Sequence, residues 1–199
     1  MSLNTPVTSN AGAADYFMAL VPGNEIVLAG TTTSRIDSLA PTVTADTSTY
    51  TVLGWSATSV GGRPLSPLAV ACRICGTGLH YMYAGEDSLI MFDSTKREAT
   101  AITMLRTPIR VGQAWPTIEH STTFDSISSV NETVVTSAGT FYGVVRITQH
   151  YSDAVTTSDF EYFLARGVGI VRLYRKATTL FGPTFQTTVT EQTLVRRNF

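Results

Sequence analysis

The stretch Tyr142-Gly-Val-Val-Arg-Ile-Thr-Gln-His-Tyr151 decides the fold, because apolar and polar side chains alternate along it. The alternating positions hold the apolar Val145, Ile147 and Tyr151 and the polar Arg146, Thr148 and His150. Since successive side chains of a strand point to opposite faces, one face of this segment is apolar and the other is polar. The pattern predicts a half-buried antiparallel strand.

The same two-residue rhythm recurs from Tyr16 to Leu194, with clusters of Gly, Pro, Asn, Asp and Ser between the segments. It predicts roughly ten to thirteen strands. In chain order they cover residues 16–20, 25–33, 49–59, 68–74, 79–84, 88–92, 99–105, 121–136, 142–151, 159–165, 170–176 and 185–195. A connection rich in Ser, Thr and Pro separates the second from the third. No long window has a helical stripe, although residues 96–104 have room for a helical turn or two.

Strands that follow one another through short connections pair locally and antiparallel. The sequence therefore predicts an all-β protein with little helix, in which a single curved antiparallel meander sheet forms a half-barrel or barrel. Residues 15–199 are expected to form one domain, since 199 residues are typical of a single domain. Residues 1–14 are small and polar without periodicity, so they are expected to be a disordered linker, an expression leader or the trimmed start of an exported chain.

Composition disfavours several classes of partner. Fourteen basic and fifteen acidic residues give a net charge of -1, whereas nucleic-acid and anionic-membrane binders need a concentrated positive charge. No stretch has the roughly 20 apolar residues of a membrane-spanning helix. The predicted partners are therefore a lipid or another hydrophobic ligand, or a protein of the cell envelope, with no nucleic acid and no transmembrane segment.

The chain contains no motif that is typical of catalysis. It has no G-x-S-x-G, H-E-x-x-H, Walker-type or dinucleotide-binding pattern. His80, His120 and His150 fall on different predicted strands, where ordinary structural imidazoles are also found. We therefore predict no catalytic residue, no metal, no cofactor and no enzymatic activity. A hydrolase or isomerase remains an alternative, and it requires these histidines to meet a carboxylate in one pocket.

Cys72 and Cys75 form the only C-x-x-C pattern. One such pair supplies half of a four-thiolate zinc site. On a continuous strand, positions three apart point to opposite faces, where they do not readily close a disulfide. Two small buried thiols or a strand-end pair are the expectation, and a redox or metal role is the alternative.

Three short sequence segments resemble a known group of proteins. They are Ser-Ala-Gly-Thr-Phe-Tyr-Gly-Val-Val-Arg-Ile at 137–147, Phe-Leu-Ala-Arg-Gly-Val-Gly-Ile-Val at 163–171 and Leu-Arg-Thr-Pro-Ile-Arg-Val-Gly-Gln-Ala-Trp at 105–115. These segments resemble bacterial exported proteins and lipoproteins of unknown function, the DUF3108-like families. This sequence has Arg166 at a position where those families usually have proline. Such proteins are similar in fold to the LolA/LolB-like lipoprotein-carrier half-barrels. The resemblance implies an exported, periplasmic or envelope-associated protein whose native signal or lipidation segment is missing here, with a concave face that holds an acyl chain.

Aromatic residues on the predicted strands supply the candidate ligand-binding residues. They are Tyr81, Tyr83, Trp115, Phe160, Tyr162 and Tyr174. An apolar concave face removes a hydrophobic ligand from water with few directional contacts. The predicted function is therefore binding of a lipid-like ligand. A closed, fully packed core or an envelope interaction module without a cavity is the alternative.

Overall fold

The computed structural model describes residues 11–55, 58–72, 76–118 and 121–199. Its strands are β1 (Glu25–Ile36), β2 (Thr42–Val52), β3 (Thr58–Val60), β4 (Arg63–Cys72), β5 (Gly76–Ala84), β6 (Ser88–Phe92), β7 (Ile102–Arg106), β8 (Ala114–Pro116), β9 (Phe124–Thr136), β10 (Gly139–Ser152), β11 (Thr156–Ala165), β12 (Gly169–Phe181) and β13 (Thr184–Arg197). Two short 3₁₀ turns, Ala13–Tyr16 and Glu98–Thr100, are the helical elements of the described residues.

The strands form one antiparallel sheet in the order β7-β6-β5-β4-β2-β1-β13-β12-β11-β10-β9-β8, and β3 pairs with β4. Most neighbours in space are neighbours in the chain. The exceptions among the described strands are β2 with β4, since β3 pairs only with β4, and β1 with β13, which joins the two ends of the meander. The predicted all-β curved meander is therefore confirmed.

The two ends of the strand order meet, so the sheet is almost closed into a barrel. The backbone N–H of Thr103 on β7 donates to the carbonyl of Thr117, just after β8, at 2.9 Å. Next to it, Ile102 and Ile118 form an isolated antiparallel bridge. Barrel closure removes most of the exposed sheet edge and creates an interior lined by alternate residues of each strand.

The chain before β1 covers one end of the barrel. The backbone N–H of Ala13 donates to the carbonyl of Glu86, and that of Gly167 donates to the carbonyl of Asp15. Phe17 and Met18 follow and are buried in the core. The predicted strand over 16–20 is therefore wrong, because these residues pack into the barrel end instead of pairing at its edge. Residues 11–14 of the predicted linker belong to the same packed segment.

Three further segments differ from the prediction. The strand predicted over 49–59 is divided, since β2 ends at Val52 and a separate strand, β3, covers Thr58–Val60. β2 begins at Thr42, inside the connection predicted before residue 49. It lacks apolar alternation because Asp46 and Ser48 are buried polar residues. Asp46 accepts a hydrogen bond from Thr32 on the adjacent β1, and Ser48 donates one to Gln192 on β13, the strand beyond β1. β8 was not predicted, because a strand of three residues is too short to show a two-residue alternation.

Cys72 is buried and disulfide-bonded. The expectation of a buried thiol is therefore wrong for Cys72. β4 ends at this residue and its antiparallel partner β5 begins at Gly76. Cys72 therefore stands at a strand end, as the alternative expectation had it, and the alternation of one continuous strand does not extend beyond it. Cys75 lies outside the described residues.

The described part of the chain contains no helix long and apolar enough to cross a membrane.

Candidate functional site

Strand register places a row of residues, all polar except Phe160, on the interior of the barrel. Asp125 on β9 lies opposite Gln149 on β10, and Gln149 lies opposite Phe160 on β11. Phe160 pairs with Arg175 on β12, and Arg175 pairs with Thr190 on β13. Directly opposed residues share a face of a sheet. Asp125 and Thr190 are buried, so the whole row faces inward.

Two residues away on each strand, toward the same end of the barrel, the inward-facing residues are apolar. Ile127, Ile147, Tyr162 and Leu173 form this second row through the same strand pairs. All four are buried. This second row lies closer to the barrel end that the N-terminal segment covers. The interior is therefore apolar near the covered end and more polar farther from it.

A cavity of about 350 Å³ lies between these two rows and the opposite wall of the barrel. Tyr50, Met91 and Met104 line it from that wall, which is formed by β2, β6 and β7. Phe160 and Tyr162 line it from β11. The volume lies within the roughly 300–1,000 Å³ found for small-molecule sites. The apolar lining with a few polar groups is also typical of such sites.

Asp125 is the most unusual polar group of the cavity, since only 1% of its surface is exposed. Gln149 Nε2 donates to its Oδ1 at 3.3 Å, whereas no donor among the described residues reaches Oδ2. Burial raises the pKa of Asp125 to about 7, although hydrogen bonds from Thr117 and Gln149 favour the ionised form. Asp125 therefore changes its protonation state near neutral pH.

Arg175 brings a positive charge to the same cavity. Its Nε donates to Ser158 Oγ at 3.5 Å, which is a long hydrogen bond. No ion pair of the described residues includes Arg175. Arg175 is half-buried, and its bond to Ser158 uses one of the five N–H groups of a guanidinium.

Tyr162 connects the two walls of the cavity. Its hydroxyl donates to the backbone carbonyl of Met104 at 2.7 Å, across from β11 to β7. Burial, with a smaller contribution from Asp125, raises the pKa of Tyr162 well above its usual range. Tyr162 therefore contributes a neutral, apolar ring to the cavity, with its hydroxyl already engaged.

The structure brings together two of the six predicted ligand-binding residues. Phe160 and Tyr162 line the cavity, with ring centroids 5.5 Å apart. Trp115 is buried in the core beside it and does not line it. Tyr174 lies in an outer groove.

Tyr81 and Tyr83 lie on the opposite face of β5 from the buried Met82. They pack against a second cluster, formed by Leu65, Ile90 and Phe92. Lys96 Nζ lies 4.5 Å from the centre of the Tyr81 ring. These two tyrosines therefore stabilise a satellite of the core on the far side of the sheet from the cavity.

Asp125, Gln149 and Arg175 were missed by sequence reasoning, although a signal was present. Each stands two residues from an apolar inward position, so it shares the face of Ile127, Ile147 or Leu173. A polar residue at a strand position whose neighbours two residues away are apolar therefore indicates a candidate polar group inside the barrel. In β9 the inward face is the one that carries Ile127, which is buried, whereas Phe124 is 53% exposed.

The described histidines do not form a catalytic pocket with one another. His150 Nδ1 lies 2.7 Å from Asp159 Oδ1, and both side chains are exposed on the outer face. His80 lies on β5 and does not line the groove that holds His150. His120 lies outside the described residues. Among the residues that are described, no group of three or more His, Cys, Asp or Glu residues is arranged to hold a metal ion.

No protein-family model and no curated protein matches the chain. Two solved structures are similar to it. One is described as a "putative exported protein with YmcC-like fold" from Bacteroides fragilis; it has 13% identity and a TM-score of 0.49, over 95% of this chain and 100% of that one. The other is a "putative lipoprotein" from Parabacteroides distasonis, with 11% identity and a TM-score of 0.45, over 96% of this chain and 100% of that one. At this level of identity, neither neighbour assigns a ligand or an activity to this chain.

Proposed function

We propose that the protein binds a hydrophobic, lipid-like ligand inside the barrel. The observation that carries this proposal is the cavity of about 350 Å³ between the polar row and the wall that contains Tyr50 and Met104. A packed barrel interior contains few voids larger than a water molecule. A cavity of this size with an apolar lining is therefore a candidate binding site.

Burial of apolar surface supplies the binding energy in this proposal. A ligand that removes about 200 Å² of apolar surface from water gains about 5 kcal/mol before the costs of association. Tyr162, Leu173 and Ile170 provide the surface against which such a chain packs. The ligand therefore enters with its apolar part directed toward the covered end of the barrel.

The proposal includes an exported location at the cell envelope and no chemical step. The location follows from the resemblance of the phrases at 137–147 and 163–171 to exported proteins. Fractionation of cells that express the native gene tests it, and a cytoplasmic product contradicts it. Recovery of a bound lipid without chemical change agrees with a binding protein, whereas its conversion on incubation indicates an enzyme.

The first experiment is native mass spectrometry of the purified protein, followed by organic extraction. The expected result is a stoichiometric lipid in the extract, or binding of the neutral dye N-phenyl-1-naphthylamine by the emptied protein. A clean apo mass without dye binding contradicts the proposal.

A pair of variants tests whether the dye occupies this cavity. Ile102→Trp adds bulk at a half-buried residue of the lining, and it is expected to weaken dye binding by about tenfold. Val135→Trp, at a residue that is 72% exposed on the surface, serves as the control and is expected to bind as the wild type does. Equal weakening by both variants places the dye elsewhere.

A second candidate function is an interaction module of the cell envelope. Two hairpin tips at the barrel end opposite the N-terminal segment expose Ile36, Leu39, Phe181 and Phe185. The hairpins are joined, since the backbone N–H of Asp37 donates to the carbonyl of Phe185 at 2.9 Å. Adjacent exposed apolar side chains are typical of contact surfaces. Light scattering after size exclusion tests self-association, which Leu39→Ser should abolish; a strict monomer of the wild type weakens this candidate.

A further inference from the structure

The cavity holds a buried acceptor that lacks a donor. Asp125 is 1% exposed, lines the cavity, and has no partner for Oδ2 among the described residues. A buried polar atom without a hydrogen bond is costly, and a carboxylate is more costly than a neutral group. A ligand that brings a hydrogen-bond donor to Oδ2 therefore gains more than burial of its chain alone provides.

Arg175 limits the charge that this donor can carry. It lies in the same inward row as Asp125, separated by Gln149 and Phe160. An ammonium group would satisfy Asp125 but would share the cavity with a guanidinium that is always charged. A carboxylate would be attracted to Arg175 but repelled by Asp125 whenever Asp125 is ionised.

A hydroxyl group fits Asp125 in both of its protonation states. Its O–H donates to the ionised carboxylate, and its lone pairs accept from a protonated Asp125. A hydroxyl therefore hydrogen-bonds to Asp125 in both protonation states, and it does not add a charge to an apolar site.

We propose that the ligand of this cavity carries a neutral hydroxyl group at its polar end, seated on Asp125 Oδ2, with its aliphatic chain against Tyr162, Leu173 and Ile170. The inference rests on the proposed function, because it names the head group of the lipid-like ligand. A long-chain alcohol is the simplest member of the class.

The other titratable groups of the cavity stay constant near neutral pH. Tyr162 on β11 and Tyr50 on β2 have pKa values raised by burial. Tyr151, at the end of β10, donates to Asp153, which raises the pKa of the tyrosine and lowers that of the carboxyl group. Asp125 is therefore the group of the described lining that titrates between about pH 5 and 8.

Four probes with closely matched chain lengths test the head group. They are 1-decanol, 1-methoxynonane, decanoate and decylamine, each measured by displacement of N-phenyl-1-naphthylamine. We expect 1-decanol to bind about tenfold tighter than the ether, which accepts but does not donate a hydrogen bond. From about pH 5 to 8, decanoate is expected to bind more weakly and decylamine more tightly, while 1-decanol gains up to about tenfold, because a ligand that lowers the pKa of Asp125 by about one unit binds its ionised form about tenfold more tightly.

Asp125→Leu removes the acceptor at similar size. In this variant the preference for 1-decanol over the ether is expected to fall below about threefold. Asp159→Leu, on the outer face and half exposed, is the matched control and should keep the wild-type preference.

A second measurement needs no variant. Carbon-13 NMR of labelled aspartate carboxyl groups follows the titration of Asp125 with and without 1-decanol. The pKa of Asp125 is expected to fall by about one unit on binding, because the hydroxyl donates to the ionised carboxylate.

The outcomes separate this inference from the proposed function. Equal binding of all four probes, or no change in the Asp125 titration, overturns the hydroxyl assignment and leaves a hydrophobic binding site. Decanoate as the tightest probe at both pH values also overturns it and assigns the head group to Arg175. Failure of every probe and of the dye contradicts the proposed function itself.

Discussion

The indole Nε1 of Trp115 donates a hydrogen bond to the backbone carbonyl of Thr103 at 2.7 Å. Trp115 lies on β8 and Thr103 on β7, the two ends of the strand order. The same Thr103 donates its N–H to Thr117, so both polar groups of its backbone are engaged at the closure. This pair of strands therefore closes the barrel with few bonds, and the side chain of Trp115 supplies one of them.

Trp115→Phe is expected to lower the free energy of unfolding by about 1–3 kcal/mol, because it removes the indole donor and leaves the Thr103 carbonyl without that partner. Urea denaturation measures the change. Trp55→Phe, at a residue that is 67% exposed, is the control and should lie within about 0.5 kcal/mol of the wild type. Equal stability of the two variants would show that the closure does not depend on the indole.

Asp125→Asn is expected to change how stability depends on pH. The pKa of Asp125 is raised to about 7 in the folded protein, whereas an unfolded aspartate titrates near 3.9. The folded state therefore holds its proton more tightly. This contribution to stability is complete below about pH 4 and is lost as the pH rises through 7, at up to about 1.4 kcal/mol per pH unit.

Urea denaturation at about pH 5 and pH 8 tests this expectation. The wild type should lose more stability than Asp125→Asn between the two values, so that the variant gains relative stability at the higher pH. Asp159→Asn, at an exposed site, controls for the loss of a negative charge. Parallel pH profiles for the wild type and Asp125→Asn would contradict the raised pKa.

Gly30→Ala is expected to destabilise the pairing of β1 with β13 by about 3 kcal/mol. A Cβ at position 30 would lie 1.8 Å from the carbonyl oxygen of Glu191, so the two strands would have to separate. At Gly54 the nearest atom, Pro67 Cγ, is 3.6 Å away, and Gly54→Ala should cost little. Thermal unfolding of the two variants compares them directly; a stable Gly30→Ala protein would show that the strands are farther apart.

Alkaline pH is expected to unfold the protein through its buried tyrosines. Burial raises the pKa of Tyr50 and Tyr162 in the folded state. Their contribution is therefore present below pH 10, the ordinary pKa of tyrosine, and is lost as the pH rises further. Tyr162→Phe should reduce this alkaline loss at the expense of about 1 kcal/mol at neutral pH, from the bond to Met104. Tyr142→Phe, which alters an exposed side chain, should leave the alkaline profile unchanged.

Much of the sheet could be predicted from local patterns. The alternation of Val145 and Ile147 with Arg146 and Thr148 assigned β10 and its faces correctly, since Val145 and Ile147 are buried. The strands predicted over 159–165 and 170–176 lie within β11 and β12. The prediction was wrong at Phe17, because this residue packs into the core and does not pair in a strand. It was also wrong around Ser48, because this buried residue is polar and bonds to another polar side chain, so β2 shows no apolar alternation there.

The candidate site was only partly predictable. Aromatic residues on strands were predicted to bind the ligand without regard to the face of the sheet on which each lies. The prediction therefore included Phe160 and Tyr162 together with the outward-facing Tyr81 and Tyr174. Asp125 and Arg175 were missed because a charged residue on a strand is usually exposed. Their common row depends on the register of four strands, which alternation does not specify.

Local sequence patterns were enough to predict the all-β class, the meander and the two faces of β10, because alternation and turn residues act over a few neighbouring positions. The tertiary structure decided the closure at Thr103 and Thr117, the covering of one barrel end by residues before β1, and the meeting of Asp125 with Arg175 in one cavity. These features join residues that are distant in the chain. Their geometry follows from strand register and sheet curvature, which depend on all strands together.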